Sequence, residues 1–368
     1  MELAAFAKNY RDFYAPTYAV RIAGTDLMRE LVVGVSQVEV DMVLGTASRF
    51  TFTVTDCYSH KLQIFQTGGG GDLLEILTFG AEVEIRLGYR DASSTPLAIS
   101  GMITEITTNF PEGGSPELSV AGYDHGFPLT IGKNTYSWPN ARDSDIAHRI
   151  ASLGNLKAII KTTSERRSQV EQKEESDWEF LKKLADRHHF ELYVDERRTL
   201  HFGKPNYEAG AVVRLVYGQG LLSFKPEANL AGQISKVEVY GTNNNSKQTI
   251  IGVASTGEES GISGKSAGQH LNAFIRDPSK RPVLRLRQPV STQAEANQRA
   301  KAALNERAKQ FLTGEGETIG LPEVRPDRNV ELANLGVPFS KIYYIQQATH
   351  KIDANGYRTR FKVRETSL

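Results

Sequence analysis

The sequence predicts an α+β fold, mainly β: a β-rich first third, a small α/β unit in the middle, then β-structure again with one further helix. Three observations carry this. Apolar and polar residues alternate with a period of two in RFTFTVTD and AEVEIRLGY. A helical period replaces it in DSDIAHRIASLGN and ESDWEFLKKLADRHH. Strand-like runs then resume around a third helical stretch, STQAEANQRAKAALNERAKQF.

Taken in order, Phe50, Phe52 and Val54 alternate with Arg49, Thr51 and Thr53, and Val83, Ile85, Leu87 and Tyr89 with Glu82, Glu84, Arg86 and Gly88. Each strand therefore turns one face to a core and the other to solvent. LAISGMITEITTNF and PELSVAGYD read as two more strands parted by the turn-rich PEGGSP. Gly68 to Gly71 read as a flexible loop. Many short antiparallel strands are buried by closing into a barrel or sandwich. In the first helix Asp143 or Ser144 can cap, Ile146, Ile150 and Leu153 form one face, and Gly154 ends it. In the second, Ser176 and Glu179 fit a capping box, and Trp178, Leu181 and Ala185 form a stripe with Leu184 beside it. FELYVDERRTLHFG reads as a hairpin turning near Asp195 to Arg198. AVVRLVYG, QISKVEVYG and QTIIGVAST are strand candidates. In the third helix Thr292 and Glu295 fit a capping box, and Ala300, Ala303, Leu304 and Phe311 give its apolar face. GEGETIGLPEVRPDRN reads as a loop, followed by strands in KIYYIQQATHKID and GYRTRFKVRE joined at the hairpin signal Asn355-Gly356.

Composition bounds the function. At 368 residues the chain has room for two or three domains. Lys plus Arg is 44 against 43 for Asp plus Glu, so bulk charge does not mark a nucleic-acid binder. The single cysteine, Cys57, excludes an internal disulfide framework and a multi-cysteine zinc site. Glu2, Lys8, Arg11 and Asp12 interrupt the N-terminus, which therefore reads as lacking a secretory signal, and no run of apolar residues is long enough for a membrane helix. The expectation is a protein made in the cytoplasm.

Catalytic chemistry finds little support. ESGISGKSAG offers Gly264, Lys265 and Ser266 of a phosphate-binding loop, but Glu259 stands where the first glycine belongs and would repel phosphate. It reads as an exposed Gly/Ser-rich loop. No histidine pair has H-E-x-x-H spacing, and His188-His189 read as protonated residues favoured by a helix C-terminus. There is no G-x-S-x-G elbow, and Cys57 reads as a structural thiol. The acidic run Glu171, Glu174, Glu175 and Asp177 suits a helix N-terminus. No catalytic residue, cofactor or metal is expected. Two basic groups stand out as candidates for facing a partner or a lumen: Arg281, Arg285 and Arg287, and, on one face of the last strand, Arg358, Arg360, Lys362 and Arg364. Their bland reading is a solvated face that guards an edge strand.

DWEFLKKLADRHHFELYVDERRTLHFGKP resembles the signature of the phage late control gene D family, the contractile-tail hub proteins related to the hub part of type VI secretion spikes. Asp177, Trp178, Phe180, Leu181, Leu184, Ala185, Arg187, Phe190, Tyr193, Asp195, Leu200 and Phe202 match it. So do Gly122, Tyr123, Asp124 and Leu129 upstream, and Tyr343, Tyr344, His350, Gly356, Tyr357 and Thr359 downstream. Arg325-Pro326-Asp327-Arg328 departs from the Pro-Gly that the family often carries. The resemblance implies a tail-tube-like β-barrel domain over residues 1–124, an α/β domain over 125–207, and a second such barrel over 208–368. It implies a structural homotrimer in the baseplate of a phage tail, tailocin or extracellular injection particle, contacting a trimeric spike, inner-tube proteins and other baseplate proteins. Two barrels per protomer make the threefold ring pseudo-sixfold, adapting a hexameric tube to the spike. No OB-fold, needle or lysozyme-like region follows, so the tip is expected on a separate protein. The alternative, a tail-associated peptidoglycan-processing enzyme, needs a catalytic Glu or Cys/His constellation that the sequence does not display.

Overall fold

A computed structural model describes every residue except 11–12, 90–94, 243–247, 262–263, 289 and 291. In the first unit, α1 (Leu3–Asn9) is followed by β1 (Thr17–Ile22), β2 (Val35–Val43), β3 (Arg49–Val54), β4 (Glu82–Gly88), β5 (Leu97–Asn109) and β6 (Glu117–Asp124). They pair antiparallel in the order β1-β4-β5-β6-β3-β2. The alternation does its expected work: Phe50, Phe52, Val54, Val83, Ile85 and Leu87 are all buried. β5 and β6 fold closely over Phe50 because Gly122 lacks a side chain. A Cβ there would lie 2.5 Å from Phe50 Cζ and 2.0 Å from the Met102 carbonyl oxygen.

The middle unit holds β7 (Asn134–Arg142), α2 (Asp143–Leu153), β8 (Lys157–Ile160), β9 (Arg166–Glu175), α3 (Asp177–His188), β10 (Glu191–Val194) and β11 (Thr199–Gly203). Both helices and the β8-β11-β10 sheet share one core, with Ile146, Ile150, Phe180, Leu181, Leu184, Leu192, Leu200 and Phe202 inside. The α3 capping box forms in full: Glu179 N–H donates to Ser176 Oγ at 3.1 Å, and Ser176 N–H donates to Glu179 Oε2 at 2.8 Å. The α2 start differs from expectation. Asp145 reaches back to the Arg142 N–H at 3.3 Å, while Asp143 turns inward to His188. β7 and β9 form a two-stranded ribbon that the sequence does not announce, because both its faces are largely exposed and it lacks alternation.

The last unit contains β12 (Val213–Tyr217), β13 (Gly220–Ala228), β14 (Lys236–Thr242), β15 (Thr249–Ser255), α4 (Ala267–Phe274), β16 (Val283–Arg287), α5 (Gln293–Ala308), β17 (Leu312–Ile319), β18 (Asn329–Ala333), β19 (Lys341–Asp353) and β20 (Gly356–Glu365). Six strands close a barrel in the order β19-β18-β12-β13-β17-β20, with β20 returning to β19. Between β13 and β17 the chain leaves the barrel: β15-β14-β16 form a separate sheet covered by α5, whose Ala296, Ala300 and Leu304 are buried on it. Phe311, expected on the α5 face, lies past the helix and in the barrel core. Thr292 caps α5 by accepting from the Glu295 N–H at 3.1 Å, and the Glu295 carboxylate is engaged by Arg299 and Arg167.

The expected loop GEGETIGLPEVRPDRN is corrected in its first half, which is barrel strand β17. Its inward positions include Gly314 and Gly316, so rings from neighbouring strands fill the space. A Cβ on Gly316 would lie 2.5 Å from Phe361 Cζ. β19 also joins the two β-units: its residues 347–352 pair with β2 while 341–344 pair with β18. The expected mainly-β α+β fold with barrel architecture is the fold observed.

Candidate assembly surface and its internal joints

The signature residues lie mostly at joints between units. Tyr193 on β10 stacks on His201 at 4.4 Å and donates its hydroxyl to Asp327 at 3.1 Å. Tyr344 on β19 donates to the other Asp327 oxygen at 2.7 Å, and the Asn206 N–H and side-chain amide donate at 3.0 and 2.7 Å. Burial pushes the Asp327 carboxyl above its usual range, opposed by these donors. Neighbouring Arg325 donates to Glu196 of the middle unit at 2.7 Å, to the Leu97 carbonyl of the first, and to Pro322 O at 2.9 Å. Residues 325–327 thus form the three-way joint. The sequence hides it because its partners come from distant positions.

A second signature group sits inside the barrel. His350 is 1% exposed. Its Nδ1 faces Tyr357 Oη at 2.9 Å and Thr359 Oγ1 at 3.0 Å, and its Nε2 faces Val324 O at 3.0 Å. Burial first, and then Arg325, lowers its pKa to about 3, so the ring is neutral. Gly356 supplies the φ of +99° that the β19–β20 turn requires. The remaining matches anchor α3. Trp178 donates to Gly45 O at 3.0 Å, and Asp177 accepts from Asn134 at 2.9 Å and Gln172 at 2.8 Å. Phe180, Leu181, Leu184 and Ala185 are core. Tyr123 stacks on Phe127 at 5.0 Å. Asp124 is buried at the end of β6, accepting from the Ser48 and Gly126 N–H groups at 2.7 Å each, and burial raises its pKa to about 6.

The two basic groups lie in different units. Arg281 donates to Ile275 O at 3.2 Å and so ties down the end of α4; Arg285 pairs with Glu238 at 3.1 Å; Arg287 is exposed at the end of β16. On β20, Arg358 and Arg360 pair with Glu317 at 3.1 and 3.0 Å, and Lys362 with Glu315 at 3.3 Å. Arg364 is buried and bonds Glu191. The edge-guard reading does not fit β20, which lies between β17 and β19, but it does fit β16, the edge strand of its three-stranded sheet, with Arg285 and Arg287 exposed. Arg358, Arg360 and Lys362 instead form a mixed-charge outer face with Glu315 and Glu317 of β17, while Arg364, expected on the same face, is buried against the middle unit. The face continues across the seam to β2, where Gln347 and Thr349 donate to Asp41 at 2.8 and 2.7 Å.

The other chemical signals resolve into structure. Ser266 is fully buried and caps α4, accepting from the Gln269 N–H at 3.4 Å. The Lys265 N–H donates to Leu368 O at 2.9 Å, and Glu259 is buried. The loop between Glu259 and Ser266 is exposed at Ser260, Gly261, Gly264 and Lys265, as expected, and is anchored at its ends by these two buried residues; Ile262 and Ser263 lie outside the described residues. The helix-dipole account of the histidine pair also changes. His188 Nε2 lies 2.8 Å from Asp143, whereas His189 takes a left-handed φ of 52° at the helix end and is held neutral, its pKa lowered to about 4 by burial. Burial also raises the Cys57 thiol pKa, which opposes thiolate formation. No group of metal-binding side chains occurs among the described residues, and no helix among them is long and apolar enough to cross a membrane.

The Alg8 N-terminal domain family matches residues 14–354. A 43 kDa tail protein of prophage MuSo2 from Shewanella oneidensis shares the fold with a TM-score of 0.69 and 14% identity, over 96% of this chain and 99% of that one. A tail protein from Neisseria meningitidis superposes with a TM-score of 0.68 and 14% identity, over 96% and 97%. An E. coli protein described as a component of the type VI secretion system follows at 0.55 and 14%, over 94% of this chain and 76% of that one. No curated protein sequence matches.

Proposed function

We propose that this chain, which belongs to the Alg8 N-terminal domain family, is a structural component of a phage-tail-like particle, placed in the baseplate as a hub, a reading supported by the likeness of its fold to tail proteins. The observation that carries the reading is the pair of six-stranded β-units built side by side into one sheet through β19. Three such chains in a ring would present six β-units. A threefold assembly could then meet a sixfold tube on one side and a trimeric spike on the other. The near-complete overlap with two tail proteins supports the particle type. Kinship with the late control gene D hubs, the homotrimer, and contacts with spike, tube and other baseplate proteins belong to the same proposal. The role is architectural, and the mixed-charge face of β20, β17 and β19 is its proposed contact or lumen surface.

The test is the solution mass of the purified protein, with electron-microscopy class averages, alone and with its candidate spike. The expected particle is a trimer of about 122 kDa, three times the 40.7 kDa chain, with six lobes around a ring. A monomer at high concentration that forms no ring in either condition would overturn the hub reading.

A further inference from the structure

We infer that the open edge of β16 is a docking site for an extended acidic segment of another protein, which would join the sheet as a fourth strand. The sheet has the order β15-β14-β16, with β16 running parallel to β14. Its two edges differ. At β15, Gln293 of α5 donates its side-chain amide to Ile251 O at 2.7 Å, and the Val253 N–H donates to Asn297 Oδ1 at 3.4 Å. The chain's own helix thus closes that edge. At β16 no strand or side chain does the same among the described residues.

The backbone register identifies the free groups. The Gln288 N–H donates to Tyr240 O at 3.0 Å, so residues 284, 286 and 288 face β14. Alternation then turns the N–H and C=O groups of Val283, Arg285 and Arg287 away from the sheet. Arg285 and Arg287 are exposed, which leaves this row open to an incoming strand. A row of unpaired backbone groups is what strand addition uses for affinity, and side chains at alternate positions give it specificity.

The side chains state what such a strand must carry. Arg285 and Arg287 lie on the face turned away from α5, beside Lys236 and Glu238 of β14. Glu238 already accepts from Lys236 at 2.7 Å and from Arg285 at 3.1 Å. Arg287 has no acidic partner among the described residues, so this face holds three cations against one anion. On the other face Leu284 and Leu286 pack on the α5 core but stay half-buried. A strand laid along β16 meets the arginines on one side and the leucines on the other. The matching segment therefore alternates acidic and apolar residues. Two carboxylates two positions apart can take charge-assisted hydrogen bonds from Arg285 and Arg287, while the apolar residues beside them cover Leu284 and Leu286. The same arginines disfavour a second copy, because two β16 edges pairing antiparallel would set like charges opposite one another. Neither the hub reading nor its trimer enters this argument.

The experiment titrates the full-length protein into a fluorescein-labelled, C-amidated peptide, Ser-Val-Glu-Val-Glu-Val-Ser, and reads fluorescence anisotropy. The expected result is saturable binding that weakens as salt rises, with at least a tenfold loss when lysine replaces both glutamates or when the protein is R287E. Circular dichroism confirms that R287E folds. Methylating the backbone nitrogens of the glutamates should abolish binding if the added strand is antiparallel, and methylating those of the valines if it is parallel. Absence of saturable binding by the glutamate peptide, equal binding of the lysine peptide, unchanged affinity in R287E, or binding that survives both methylations would overturn the site. Sedimentation tests the other occupant: self-association that R287E abolishes and the peptide displaces would assign the edge to a second copy and overturn the acidic partner. If R287E does not fold, the lysine and methylated peptides decide on the wild type.

Discussion

In the first β-unit the buried sides of β2, β3 and β4 are aliphatic and phenyl: Val38, Val40, Phe50, Phe52, Val83, Ile85 and Leu87. In the barrel, the same layer contains His350, hydrogen-bonded by Tyr357 and Thr359 from β20 and facing the Val324 carbonyl. The difference is one of redundancy. Dispersion and burial are shared among many neighbours, so an aliphatic layer loses stability roughly with the volume removed. A buried polar network is specified by few partners, and removing one leaves others desolvated and unpaired. The first unit should degrade gradually under substitution, and the barrel abruptly.

The largest effect should therefore come from H350A. Its cavity, together with the Tyr357 hydroxyl and the Val324 carbonyl left without their imidazole partner, should cost about 4 kcal/mol, against about 2–3 kcal/mol for V40A in the first unit. Urea midpoints for the two variants test this. A V40A loss equal to that of H350A would remove the contrast.

Acid should separate the two units next. The His350 pKa is lowered to about 3 by burial and Arg325, so the folded state resists protonation while the unfolded chain protonates below about pH 6.5. Its contribution is full above 6.5 and is lost as pH falls toward 3. Asp124 in the first unit acts with the opposite sign. Its pKa is raised to about 6, so it stabilises below its unfolded value of 3.8 and loses that contribution as pH rises through 6. His125 and His189, each lowered to about 4 by burial, act in the direction of His350 and remain in its variants. The wild-type advantage over H350Q should accordingly shrink as pH falls, approaching about 1.4 kcal/mol per pH unit, or about 2 kcal/mol between pH 6.5 and 5. D124N should steepen the acid loss. Stability curves for H350Q and D124N that run parallel to the wild type would contradict both signs.

What the sequence shows of this follows the same divide. Alternation in β3 and β4 is legible because the strand's own side chains fill the core. β17 is not, because Gly314 and Gly316 leave room for Phe224 and Phe361 from neighbouring strands. The α3 cap is legible because its two bonds are local in sequence. The Asp327 joint is not, because Tyr193, Asn206 and Tyr344 reach it from 134, 121 and 17 residues away. Resemblance picked out Tyr193 and Tyr344, yet not the carboxylate on which they converge. The basic row of β20 was visible without its acids, since Glu315 and Glu317 stood in a supposed loop.

That account of β17 is itself open to test. G316A places a methyl 2.5 Å from Phe361 Cζ and 3.2 Å from Phe224 Cδ2. The nearer ring, Phe361, is buried in the barrel layer and has little room to turn, while Phe224 is half-buried. Overpacking should cost about 1–2 kcal/mol. The combination with F361L should recover part of that loss, because the smaller side chain vacates the contact. Thermal denaturation of the single and double variants tests the coupling. Strict additivity would mean that Gly316 is not there to receive the ring.

The smallest change belongs to the first unit, and it controls for the others. Ile85 is fully buried on β4, opposite Val20 on β1 and Ile99 on β5. I85V removes one methylene and no polar partner, so the expected loss is about 1 kcal/mol. Because no titratable group faces a changed hydrogen bond, that loss should be the same at pH 5 and pH 7.5. Urea unfolding at the two pH values measures it directly. A loss as large as that of H350A, or one that varies with pH, would mean that the first unit also depends on a polar network, and the contrast drawn from His350 would fail.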